Sequence, residues 1–140
     1  MTTGTANRSL MVIDDDPDIR GMLQHLFRER GYDVTTASDG EEGLRLSHER
    51  RPDLIILDIL MPRMSGLEVL ASLKRSQPDV PVIVVSAGGA DALDQASLAM
   101  FSRIRTGVGR LFHKPLDLNE LAAAVDELLA RADGCAQAAG

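Results

Sequence analysis

The chain has 140 residues, the size of one domain built around one hydrophobic core. A net charge of −6 argues against a nucleic-acid surface driven by bulk positive charge, and 44% apolar with 26% charged content is ordinary for a soluble globular protein. No apolar run approaches membrane-spanning length, and residues 1–8 lack the apolar core of a secretory signal. Cys135 is the only cysteine, which excludes an internal disulfide and fits a reducing cytoplasm.

Residues 1–8 read as a flexible tail, and a first strand is predicted over 9–14, where Leu10-Met11-Val12-Ile13 runs into Asp14-Asp15-Asp16. Asp16-Pro17 reads as an N-cap followed by a first-turn proline, and Ile19, Met22, Leu23, Leu26 and Phe27 recur at helical spacing. Gly31, after Arg28-Glu29-Arg30, is placed to end that helix in the left-handed conformation. A second strand is predicted over 33–37, and Asp39-x-x-Glu42 has capping-box spacing for the next helix. The third strand, 53–58, is the apolar run Leu54-Ile55-Ile56-Leu57 closed by Asp58, and Ser65-x-x-Glu68 marks another helix start. Val82-Ile83-Val84-Val85 within 81–86 ends in Ser86, and Arg110-Leu111-Phe112-His113 within 109–113 runs into Lys114-Pro115. Asp117-x-x-Glu120 opens a last helix with Leu118, Leu121, Ala122, Val125 and Leu128 on one face. That helix is rich in leucine and alanine, so a monomer or weak dimer is expected; residues 132–140 read as a second flexible tail.

Strands alternating with amphipathic stretches mean βα units, a parallel sheet and helices on both faces. Ligands in such sheets bind beyond the strand C-termini. Four of the five predicted strands end there in acids, a hydroxyl or a lysine. Adjacent carboxylates repel unless a cation neutralises them, and an oxygen-only cluster suits Mg²⁺. Asp58 could serve as a carboxylate nucleophile for a phosphoryl group, with the Lys114 ammonium neutralising charge and Ser86 bonding a phosphoryl oxygen. Each piece also has a plainer reading: the acidic run as a solvated helix cap, Ser86 as an ordinary strand end, Lys114 as a snorkelling surface lysine. His25, His48 and His113 share no metal-ligand spacing.

With these residues in this order, the chain resembles the receiver domain of the two-component response-regulator family over about residues 9–131. The resemblance rests on Asp14-Asp15-Asp16, on the string from Leu57-Asp58 through Met61-Pro62 to Ser65-Gly66, on Ser86-Ala87 and on Lys114-Pro115. It implies an α/β, flavodoxin-like (βα)5 sandwich with strand order 2-1-3-4-5. It implies Asp58 as phosphoacceptor from a histidine kinase or phosphotransfer protein, with catalysis limited to the domain's own phosphorylation and dephosphorylation. Asp15 would ligate Mg²⁺ directly, Asp14 mainly through water, and Leu60 through its backbone carbonyl. Ser86 matches the family's switch hydroxyl and Lys114 its lysine. Phosphorylation would then shift the surface made by the helix before the last strand, that strand and the last helix.

Three departures qualify the match. Leu111 stands where the family's aromatic switch residue usually lies. Ser86 and Lys114 are several residues further apart than in the compact pattern, which puts an atypical region between Gly88 and Arg105. Leu60 and Gly88 offer no side chain to orient water, which points to slow self-dephosphorylation. A stand-alone cytoplasmic receiver without an output domain after the last helix is expected, acting by protein contact or onward phosphotransfer. A receiver-like binding module that works without phosphorylation is the main competing reading. A dehalogenase-type phosphatase fits less well, because Asp14-x-Asp16-x-Asp18 lacks the expected Thr or Val.

Overall fold

Each apolar run becomes a strand, and the polar residues after it become the turn into the next helix. In the computed structural model the elements are β1 (Ser9–Ile13), α1 (Pro17–Glu29), β2 (Asp33–Ala37), α2 (Gly40–Arg50), β3 (Leu54–Asp58), α3 (Gly66–Ser76), β4 (Val82–Ala87), β5 (Val108–Lys114) and α4 (Leu118–Ala139). The structure describes residues 8–59, 66–87 and 108–139, with the backbone alone at 87, 108–110, 113–114 and 132–139. The expected capping serine Ser65, the Leu60 carbonyl and the lengthened region from Gly88 to Arg105 lie outside the described residues.

The five strands form one parallel sheet of order β2-β1-β3-β4-β5, as the resemblance implied. Period-two alternation splits the core into two layers. Leu10, Val12, Leu54, Ile56, Ile83, Val85 and Phe112 pack on one face against Leu23 and Phe27 of α1 and Leu121, Val125 and Leu129 of α4. Met11, Ile13, Ile55, Leu57, Val82 and Val84 pack on the other against Leu67, Leu70 and Leu73 of α3, with Leu44 and Leu46 of α2 at its margin. The central strand β3 is buried throughout. Each aliphatic side chain buried there contributes about 1.5–3 kcal/mol relative to exposure.

The helix ends follow the residues that mark them. Asp39 Oδ1 accepts the Glu42 N–H at 2.8 Å, while Glu42 Oε1 reaches back to the Ser38 N–H at 2.8 Å, one residue earlier than a capping box requires. Gly31 takes φ +93°, its N–H donating to the Arg28 carbonyl and that of Tyr32 to the Phe27 carbonyl, both at 3.0 Å. That is a Schellman ending, closed by an edge-to-face contact of Tyr32 on Phe27.

Two expectations change. Asp14, expected inside β1, lies just beyond it: its N–H still bonds the Ala37 carbonyl at 3.1 Å, but its Oδ1 then takes the Asp16 N–H at 2.9 Å and turns the chain. Residues 132–139, expected as a tail, continue α4.

Candidate functional site

The sheet register brings the chemistry to one edge. Ile13 pairs with Ala37 on one side and Leu57 on the other, so Asp14 and Asp58 end neighbouring strands. Asp58 pairs with Val85, Ser86 with His113, and Ala87 with Lys114. Adjacent strands are about 4.8 Å apart, so all of these residues sit within a few strand widths.

Ligand oxygens of Asp14, Asp15 and Asp58 lie within 4.8 Å of one another. Asp14 and Asp58 are buried, at 3% and 2% exposure, and Asp15 is exposed. Burying carboxylates is costly without compensation. Part of the compensation is local: Asp14 Oδ1 is engaged by the Asp16 N–H. The three carboxylates together form an oxygen donor set suited to a hard divalent cation. The N-terminus of α1 begins two residues after Asp15, with Asp16 capping it by accepting the Asp18 N–H at 2.9 Å. Its orphan N–H groups and positive dipole end favour anionic groups at this edge.

A second observation points to an oxygen-rich ligand at the same edge. Ser86 is 2% exposed, and its Oγ is, among the described residues, a buried side-chain oxygen with no hydrogen-bond partner. Such a group costs about 1–3 kcal/mol, so it calls for an explanation by function. A phosphoryl oxygen beyond β3 would supply the missing partner.

The start of α3 is held close to the end of β3. The Gly66 N–H donates to the Ile59 carbonyl at 3.3 Å, and a Cβ on Gly66 would lie 2.2 Å from the Ile59 Cα and 2.4 Å from the Asp58 carbonyl oxygen. Only glycine allows that approach.

Among the expected site residues, the structure gathers Asp14, Asp15 and Asp58, with Ser86 one register step beyond. Lys114 ends β5 at the same sheet edge, with its side chain outside the described residues. Leu111 is 41% exposed, while the adjacent Phe112 is in the core. In the stripe expected to meet a partner, Met22 is 38% exposed but Leu23 is buried at 1% and belongs to the core. Sequence reasoning missed Arg20, whose Nη1 donates to the Asp14 carbonyl at 2.7 Å. An arginine in the first turns of a helix carries no distinguishing signal without the fold.

The comparisons agree with this fold. The response regulator receiver domain family matches residues 10–126. The transcriptional regulatory protein PrrA of Mycobacterium tuberculosis is 39% identical over 94% of this chain and 54% of its own length. The alkaline phosphatase synthesis transcriptional regulatory protein PhoP of Bacillus subtilis is 32% identical over 91% of this chain and 50% of its own. The chain thus spans about half the length of these curated relatives. Among solved structures, a receiver domain protein from Clostridium thermocellum aligns with a TM-score of 0.76 at 32% identity, covering 89% of this chain and 95% of that one. A CheY-like receiver from Methanospirillum hungatei aligns with a TM-score of 0.82 at 22% identity, over 92% and 98% of the two chains, and speaks to the fold alone.

Proposed function

Because this chain belongs to the response regulator receiver family, we propose that it receives a phosphoryl group on Asp58 from a histidine kinase or phosphotransfer protein. The observation that carries this reading is the buried Asp58 carboxylate held within 4.8 Å of Asp14 and Asp15.

In the proposed reaction an Asp58 carboxylate oxygen attacks the phosphorus of a phosphohistidine. The P–N bond breaks, its electron pair stays on the imidazole nitrogen, which takes up a proton, and an acyl phosphate remains on Asp58. Mg²⁺, when bound, neutralises charge on the transferring group. Asp15, exposed and adjacent, and Asp58 would hold it, with Asp14 contributing mainly through water and Leu60 through its carbonyl. Ser86 Oγ would donate to a phosphoryl oxygen, and the Lys114 ammonium would neutralise charge from the β5 side. Catalysis ends with the domain's own phosphorylation and dephosphorylation. Signalling then proceeds by contact with a partner protein or by onward transfer, in the cytoplasm. Among the described residues, no helix is long and apolar enough to cross a membrane.

A receiver fold that binds its partner without phosphorylation competes with this reading, and the exposed Leu111 in the aromatic's position favours it. One experiment separates the two. Wild type and Asp58→Asn are incubated with acetyl phosphate and Mg²⁺, with and without chelator, and weighed intact. The expected result is a phosphoryl adduct on wild type alone, lost with chelator. No adduct, together with no response to beryllofluoride, would select the phosphorylation-independent module.

A further inference from the structure

Arg20 lies in α1, beyond the residues that gather at the sheet edge. Its Nη1 donates to the Asp14 carbonyl at 2.7 Å, and its own N–H closes the helix on the Asp16 carbonyl at 3.0 Å. Among the described residues no carboxylate lies within ion-pair range of its guanidinium. The guanidinium therefore holds backbone, and the carboxylates nearby are left to other partners.

That backbone carbonyl belongs to the peptide unit joining Asp14 to Asp15. Asp14 is held at three points: its N–H on the Ala37 carbonyl, its Oδ1 on the Asp16 N–H, and its carbonyl on Arg20. Asp15 has no side-chain hydrogen bond of its own among the described residues. Among the described residues, what aims its carboxylate is therefore the peptide plane that carries it. Rotating that plane about the Asp14–Asp15 link would move the Asp15 carboxylate away from Asp58.

We infer that Arg20 is a positioning residue for the acidic site: by holding the Asp14 carbonyl it aims the Asp15 carboxylate toward Asp58 and so sets the affinity for Mg²⁺. The inference rests on the reading of Asp14, Asp15 and Asp58 as the cation's ligands. It makes a prediction of definite sign. A guanidinium acting only through its charge repels a divalent cation, so removing it would tighten Mg²⁺ binding. A guanidinium acting through position loosens binding when removed, by about tenfold as for other groups that orient metal ligands.

Three variants of the full chain test this. Arg20→Met keeps the apolar stem without a donor, while Arg20→Gln and Arg20→Lys keep a donor. Mg²⁺ affinity is measured by calorimetry, and the Asp14 carbonyl carbon shift is followed by NMR in the metal-free protein. Arg20→Met is expected to bind Mg²⁺ about tenfold more weakly and to move the carbonyl shift. Gln and Lys should stay within a few-fold of wild type. Equal or tighter Mg²⁺ binding by Arg20→Met overturns the proposal. Should that variant not fold, a folded Gln or Lys variant that loses as much affinity overturns it instead. A wild type that binds no Mg²⁺ is a different failure: it sinks the reading of the acidic site, and the role of Arg20 with it.

Discussion

On the proposed function, Ser86 is the residue at which stability and function pull apart. Its hydroxyl is buried near the end of β4 with no partner among the described residues, a cost of about 1–3 kcal/mol. Replacing it by alanine removes the stranded polar group and little else. Ser86→Ala is therefore expected to raise the urea midpoint of the unphosphorylated domain, by about 1 kcal/mol in stability. The same variant should accumulate less adduct with acetyl phosphate. An unchanged or lowered midpoint would mean that the hydroxyl is satisfied in solution and has no strain to release. Leu111 and Phe112 show a second residue-scale decision. They are adjacent on β5, yet strand alternation puts Phe112 into the core and leaves Leu111 exposed. The side chain in the family's switch position is thus aliphatic and half in water.

At the scale of elements, the first residue of α3 lies hard against the end of β3. A Cβ on Gly66 would press on the backbone of Ile59 and Asp58, neither of which can step aside as a flexible side chain would. Gly66→Ala is expected to cost about 1–3 kcal/mol or more, and to slow adduct formation by shifting Asp58. Gly21, exposed in the middle of α1 with nothing within 4 Å of where an alanine methyl would sit, is the control. Gly21→Ala should stabilise by about 0.5–1 kcal/mol, because alanine favours the helix interior. Thermal melts of the two variants moving in the same direction would contradict this account. Helix ends tell the same story in milder form. The left-handed Gly31 turns α1 into β2 and places Tyr32 against Phe27, so the cap also contributes to the core.

Across the whole molecule, a polar link between α1 and α4 joins segments more than 90 residues apart in the chain. The Tyr32 hydroxyl and the Arg30 guanidinium both donate to Asp126, tying the end of α1 to the middle of α4. Burial, the hydrogen bond to Asp126 and that group's charge push the Tyr32 phenol up to about 12. Burial pushes the Asp126 carboxyl up, but the hydrogen bonds from Tyr32 and Arg30 outweigh it and hold the group below its ordinary value. The link therefore contributes stability above the ordinary carboxylate range, which is lost as pH falls through the lowered Asp126 value. On the alkaline side it is present below the phenol's ordinary value near 10 and is lost as pH rises through about 12. Arg30 and Asp126 are both well exposed, so the effect is small. Tyr32 is the only tyrosine in a chain without tryptophan, so phenolate absorbance reads it alone. The expected titration midpoint is about 12 in wild type and lower in Asp126→Asn, though still above 10 because burial remains. Identical midpoints in the two proteins would show that the link does not form in solution.

The order of acids, hydroxyl and lysine after successive apolar runs made the parallel sheet and its crowded edge legible from the residues alone, because strand ends are local events. Alternation likewise marked the core faces, and Asp16, Asp39, Asp117 and Gly31 marked the helix ends they form. Contacts between distant segments were not legible. Leu23 and Met22 have the same helical pattern, and only packing against the sheet decides that one is buried and the other exposed. The reach of Arg20 to the Asp14 carbonyl, the approach of Gly66 to Asp58 and the pairing of Tyr32 with Asp126 depend on where elements meet in space. Those meetings follow from register and packing summed over the whole sheet, which no single stretch of residues encodes.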